Sequence, residues 1–136
     1  MRELAHRYAA AVDDRDFPAV AGLFAPDGVL AVPRPPKHLD PVLEHVGPAG
    51  VLEAMAALAG VPRTFHAVVG AVYDGTHGRI ACVAHHVLPG DPVTDLVWHL
   101  RYLDDYVETA DGWRFARREV HVDLVERRPL EAARLG

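Results

Sequence analysis

Serine is absent from this chain, and cysteine occurs once, as Cys82. The first absence removes the commonest hydroxyl nucleophile, and Cys82 has no recognisable triad setting, so nucleophilic catalysis finds no support. A lone thiol cannot form an internal disulfide. No apolar run is long enough to cross a bilayer and no signal peptide is evident, which leads to the expectation of a cytoplasmic protein without a membrane partner. Positive charge is in deficit: 14 Lys and Arg stand against 19 Asp and Glu, a formal net charge of -5. Such a chain has no basic field to attract nucleic acid. Phosphate-binding glycine loops are missing too. The nine histidines are scattered rather than in tracts. His85 and His86 are adjacent, and adjacent strand residues point to opposite faces, so they cannot chelate one ion together without a bulge. Neither a metal nor a cofactor is expected.

What is present suits one globular domain. With 136 residues, 50% hydrophobic and 24% charged, the chain can bury roughly two-thirds of its unfolded surface. The domain is expected over residues 1–128, with 129–136 as a short C-terminal tail, helical or disordered. Leu4, Tyr8, Ala11 and Val12 recur at helical spacing and predict an opening helix that ends at Asp13. Asp16 can cap a second short helix, and Ala25-Pro26-Asp27-Gly28 reads as a turn into a strand from Val29 to Val32. Pro33, Pro35, Pro36 and Pro41 crowd a segment that reads as a loop, a lid or a linker. Pro48 and Gly60 bracket a third helix with an apolar stripe through Val51, Leu52, Met55 and Leu58. From Thr64 onwards, period-two patterning predicts four strands, Thr64 to Tyr73, Arg79 to Leu88, Thr94 to Glu108 and Trp113 to Val125, joined by short turns into an antiparallel meander. Helices first and a sheet second implies an α+β domain in which helices cover one face of a bent sheet.

Three residues stand out against this background. His66 lies in TFHAVVG, a stretch that otherwise reads as buried strand, and a half-buried imidazole needs a partner. A backbone carbonyl would make it a structural core residue; a carboxylate would orient it and make it more basic, as a general base requires. Asp13 ends a helix of small and apolar residues, a poor place for a merely solvated charge at the negative end of the dipole. Arg118 shares a strand face with Arg114, Ala116, Val120, Val122 and Leu124, whereas Arg117, Glu119, His121 and Asp123 line the other. A guanidinium on an apolar face calls for an anion, either a protein carboxylate or charge developing on a substrate.

In this order, and within HRYAAAVDDRDFPAVAGLFAPDGVL, TFHAVVG and RYLDDYVETADGWRFARREV, these residues resemble the SnoaL-like branch of the nuclear transport factor 2-like superfamily, over nearly the whole chain. The resemblance implies a cone: a strongly curved antiparallel sheet around a pocket that the helices close. Members include polyketide cyclases, scytalone dehydratase, a hexachlorocyclohexane dehydrochlorinase, ketosteroid isomerase and proteins that only bind or associate, so the fold alone decides little. Matched residue by residue to the dehydratase and dehydrochlorinase group, Asp13 takes the place of the dyad aspartate, His66 of the basic histidine and Arg118 of the pocket arginine. The implied mechanism is cofactor-free proton abstraction by His66, held by Asp13, with Arg118 steadying the developing negative charge. Tyr8 stands where the dehydrochlorinase carries a lysine, a departure that argues against dehalogenation.

Further binding residues are expected at Tyr8, His85, Trp98, His99 and Tyr102. His85 would share the pocket with Val83 and Val87, or else mark a polar strand end. His99 lies near the second histidine of scytalone dehydratase, but a one-residue register difference would instead turn Trp98 and Tyr102 inward, the arrangement favoured here. Their rings suit a planar ligand, although core packing explains them equally well. His121, on the opposite face from Arg118, is assigned to a subunit interface of a homodimer or homotrimer. The function expected is that of a lyase, isomerase or cyclase acting on a small hydrophobic, polyketide- or terpenoid-like molecule. The alternatives are an epoxide hydrolase-type enzyme, which needs a second pocket carboxylate from Asp95, Asp104 or Asp105, and a non-catalytic ligand-binding or dimerising domain.

Overall fold

A computed structural model describes residues 1–136. Helix α1 (Leu4–Asp13) and helix α2 (Phe17–Gly22) lead into strands β1 (Phe24–Arg34) and β2 (His38–Val46); helix α3 (Gly47–Met55) and a 3-10 turn (Ala56–Leu58) precede strands β3 (Arg63–Asp74), β4 (His77–Leu88), β5 (Thr94–Thr109) and β6 (Gly112–Pro129). The six strands form one open, curved sheet in the order β2-β1-β6-β5-β4-β3. This is the expected α+β cone, with three helices packed against the sheet. The meander holds from β3 to β6, but β1 joins the sheet parallel to β6, and β2 pairs with β1 at the sheet edge.

The proline-rich segment is the principal correction to the expected layout. It is a β-hairpin rather than a loop, with Pro33 inside β1, Pro41 inside β2 and the turn between Arg34 and His38. An edge strand leaves one row of its amides unpaired, so β2 tolerates a residue without an N–H. The Ala25–Gly28 turn is drawn into β1, whose pairing with β6 jumps from Phe24↔Phe115 to Val29↔Arg117. Gly28 makes that path possible, because a Cβ there would stand 2.6 Å from the Phe115 carbonyl oxygen. Helix α2 begins as expected, with the Asp16 carboxylate accepting from the Ala19 amide at 3.2 Å. The segment after Pro129 forms no helix.

Bulges reassign the strand faces. Val69 in β3, Ala116 in β6 and Asp123 in β6 have no partner in the register of their neighbours. Each extra residue inverts the alternation beyond it. Phe115 and Arg118 therefore both point inward and are fully buried, and Ala116 does not align with Arg118 as strict alternation requires. Leu124, expected beside Val122, turns outward and is 51% exposed. Tyr73, expected opposite His66, packs against the core.

The core lies between the helices and the concave face and includes Val20, Leu30, Val51, Ile80 and Phe115, all essentially inaccessible. Each such side chain contributes about 1.5–3 kcal/mol over its exposed state. No helix is long and apolar enough to cross a membrane.

Candidate active site

Helix α1 ends at Asp13 against the start of β3, and the contact is polar. Asp13 Oδ1 lies 2.7 Å from His66 Nδ1, and the same oxygen accepts from the Thr64 hydroxyl at 2.9 Å. Asp13 Oδ2 accepts the His66 backbone N–H at 2.9 Å. Burial opposes the carboxylate charge, but the bonds from the His66 ring and amide, the attraction of the imidazole and the Thr64 bond together hold its pKa below the ordinary 3.8. An ionised carboxylate only accepts, so Nδ1 carries the proton of the neutral imidazole and Nε2 keeps its lone pair. His66, with its side chain only 9% exposed, lines the main cavity. Arg15 braces the junction from the other side, donating to the carbonyls of Val61 at 2.6 Å and Leu58 at 3.0 Å.

The cavity measures about 520 Å³, and 16 of its 22 lining residues are hydrophobic, which fits it for a small apolar molecule. Tyr8 from α1, Trp98 and Tyr102 from β5 and His86 from β4 supply its inner polar groups. His86 Nδ1 lies 2.9 Å from the Leu96 carbonyl, which can only accept, so His86 also keeps its Nε2 lone pair. Burial lowers the His86 pKa despite that bond, leaving the ring neutral at pH 7. The two imidazoles stand 6.3 Å apart between centroids. Burial pushes the Tyr8 hydroxyl up to about 12, against the pull of the Arg118 guanidinium, so it is a hydrogen-bond donor at neutral pH. Cys82 is pushed up to about 11 by burial, which leaves it a protonated thiol rather than a nucleophile.

The structure brings together Asp13, His66, Tyr8, Trp98 and Tyr102, and it separates three other expected site residues from them. His85 points to the outer face, where its Nδ1 lies 2.7 Å from Asp95 Oδ2; its neighbour His86 takes the cavity position. His99 is likewise outside, with Nε2 2.7 Å from Glu126 Oε1, because β5 adopts the phase that turns Trp98 and Tyr102 inward. Arg118 does not line the cavity. It is fully buried and donates to Asp104 from Nε at 2.9 Å and Nη2 at 3.2 Å, so its counter-anion is a protein carboxylate and not a substrate charge. The guanidinium lies behind the wall, 3.5 Å from the Tyr102 ring centroid and 4.4 Å from that of Tyr8.

None of the three carboxylates on which a hydrolase reading depends reaches the cavity. Asp95 is bonded to His85, Asp104 to Arg118 and Asp105 to His77. His121 lies on the outer face, between Asp40 at 3.0 Å and Glu119 at 2.9 Å. Sequence reasoning missed His86 and Thr64; the proline-rich segment, for which a lid was one expected reading, reaches the cavity as a hairpin whose Pro33, Arg34, Leu43 and His45 line it. The β4–β5 phase was the available signal for His86: if Trp98 faces inward, its register partner Ala84 does too, and so does His86 two residues on.

The family model of the SnoaL-like domain matches residues 1–119. Among solved structures, the chain superposes on a candidate scytalone dehydratase of Novosphingobium aromaticivorans with a TM-score of 0.79 at 19% identity, over 97% of this chain and 87% of that one. A candidate aromatic ring hydroxylase of the same organism gives 0.77 at 22% identity, over 93% and 90%. A hexachlorocyclohexane dehydrochlorinase of Novosphingobium barchaimii gives 0.77 at 14% identity, over 97% and 88%. Identities this low establish a shared fold and no shared activity. No curated protein matches the chain.

Proposed function

The chain belongs to the SnoaL-like domain family, and from that premise we propose that it is a cofactor-independent lyase, isomerase or cyclase in which His66 is the general base. The observation that carries this reading is the Asp13–His66 pair at 2.7 Å on the wall of an apolar cavity. The substrate is a small hydrophobic molecule, of polyketide or terpenoid type, with an acidic C–H beside a carbonyl or a leaving group. His66 Nε2 takes that proton while Asp13 stabilises the imidazolium. The C–H electron pair forms a double bond, either as the leaving group departs with its own pair or as the carbonyl π pair moves onto oxygen to give an enolate. The imidazolium then delivers its proton to the leaving group or to another carbon. The Tyr8 hydroxyl donates to the oxygen on which charge develops, and neutral His86 accepts from a substrate hydroxyl. The candidate dehydratase and the dehydrochlorinase among the structural relatives are both named for eliminations.

Deuterium uptake tests the base without a known substrate. In D2O, the protein is expected to accelerate exchange at the activated methylene of 2-tetralone, followed by proton NMR. His66→Ala and Asp13→Asn are each expected to reduce that acceleration by about 100-fold or more. Exchange that persists in His66→Ala overturns the assignment.

A further inference from the structure

The cavity is apolar within, and its permanently charged lining residues are Arg34, at the end of β1, and Glu53, on α3. Both are exposed, and neither is engaged in an ion pair or side-chain hydrogen bond, so a ligand can reach them. The register places Arg34 opposite His38, with Lys37 in the turn between them. The acidic residues of β2 that could neutralise this hairpin tip are engaged elsewhere: Asp40 with His121, and Glu44 with Arg117. His45, also on the cavity wall, has no side-chain partner either. Arg34 is thus a cation on the cavity wall with no protein anion bonded to it.

We propose that the cavity takes an amphipathic ligand with an apolar, planar body inside and a carboxylate at the mouth, held by Arg34. The inference rests on the cavity being the ligand site, as in the function proposed above, but not on the chemistry of His66. A guanidinium fork matches a carboxylate in plane and charge. Glu53 faces the same opening and disfavours a phosphate dianion, which needs more than one unopposed cation. The aromatic wall of Trp98 and Tyr102 accommodates the flat body.

The probes are 9-fluorenone-2-carboxylate and 9-fluorenone-2-carboxamide, which share a skeleton and differ in charge. Calorimetric titration at low salt is expected to show about tenfold tighter binding of the carboxylate. Added salt narrows the difference. Arg34→Gln is expected to abolish the preference, while Glu53→Gln strengthens carboxylate binding. Equal binding of the two probes to the native protein, or a preference that survives Arg34→Gln, overturns the inference and leaves the proposed function standing. Binding of neither probe overturns both.

Discussion

Asp104→Asn removes the countercharge of a guanidinium that has nowhere else to place its charge. Both side chains of the Arg118–Asp104 pair are wholly inaccessible, and Asp104 also accepts the Tyr106 hydroxyl at 2.9 Å. The amide keeps the shape of the carboxylate but turns an acceptor into a donor aimed at the guanidinium. Breaking a buried pair from one side costs about 3–5 kcal/mol, because the surviving charge stays desolvated. The rings of Tyr102, Tyr8 and Phe115, at 3.5, 4.4 and 4.6 Å from the guanidinium carbon, recover part of that cost but cannot replace an anion. Urea denaturation followed by tryptophan fluorescence measures the loss. A domain of this size has about 5–15 kcal/mol in total, so the single variant is expected to be marginal. The double variant Asp104→Leu with Arg118→Met keeps the volume, removes both charges and is expected to recover most of the stability. It also separates structure from catalysis: with Arg118 behind the wall, the folded double variant is expected to retain deuterium exchange on 2-tetralone. An Asp104→Asn cost below about 1 kcal/mol refutes the buried-pair account, and loss of exchange in a stably folded double variant refutes the correction made for Arg118.

Three further outcomes follow from the site and its frame. Because the folded Asp13 carboxyl lies below its ordinary value, the stability it contributes is present above the unfolded pKa of 3.8 and lost as pH falls through the folded one; denaturation from pH 7 down to 2 is expected to show the gap between native protein and Asp13→Asn closing in that acid range, and a constant gap refutes it. Thr64→Val, which keeps the branched shape and deletes one bond to that carboxylate, is expected to cost about 1.5–3 kcal/mol by urea titration and to move the His66 Nδ1–H resonance, a shift that a mere packing role for Thr64 leaves at zero. Of the neighbouring histidines, His86→Ala is expected to change affinity for 9-fluorenone-2-carboxamide whereas His85→Ala and His99→Ala leave it within about twofold; the reverse pattern refutes the strand phase.

The three helices, the first strand, the four-strand meander and the standing of Asp13 and His66 as polar groups in apolar stretches belong to the sequence by itself, whereas the pairing of those two residues was implied by the family resemblance. Helical spacing, capping by Asp16 and period-two patterning act over a few residues, and the chain carries those signals in order. Asp13 and His66 were legible because each is a polar group in an apolar stretch, where burial without a partner is costly. Three features came only with the folded sheet. The β1–β2 hairpin was hidden because a proline-rich strand survives only at an edge, and edge position is a property of the whole sheet. The bulges at Val69, Ala116 and Asp123 were hidden because an extra residue leaves no mark on local composition, yet each one inverts which side chains face inward. The choice of His86 over His85 depended on cross-strand register, which also bore out the inward phase favoured for Trp98 and Tyr102 over His99. The fate of Arg118 depended on it too: strand patterning called for an anion beside the guanidinium, but only the alignment of β5 with β6, which sets Asp104 opposite Arg118, decided that the anion belongs to the protein.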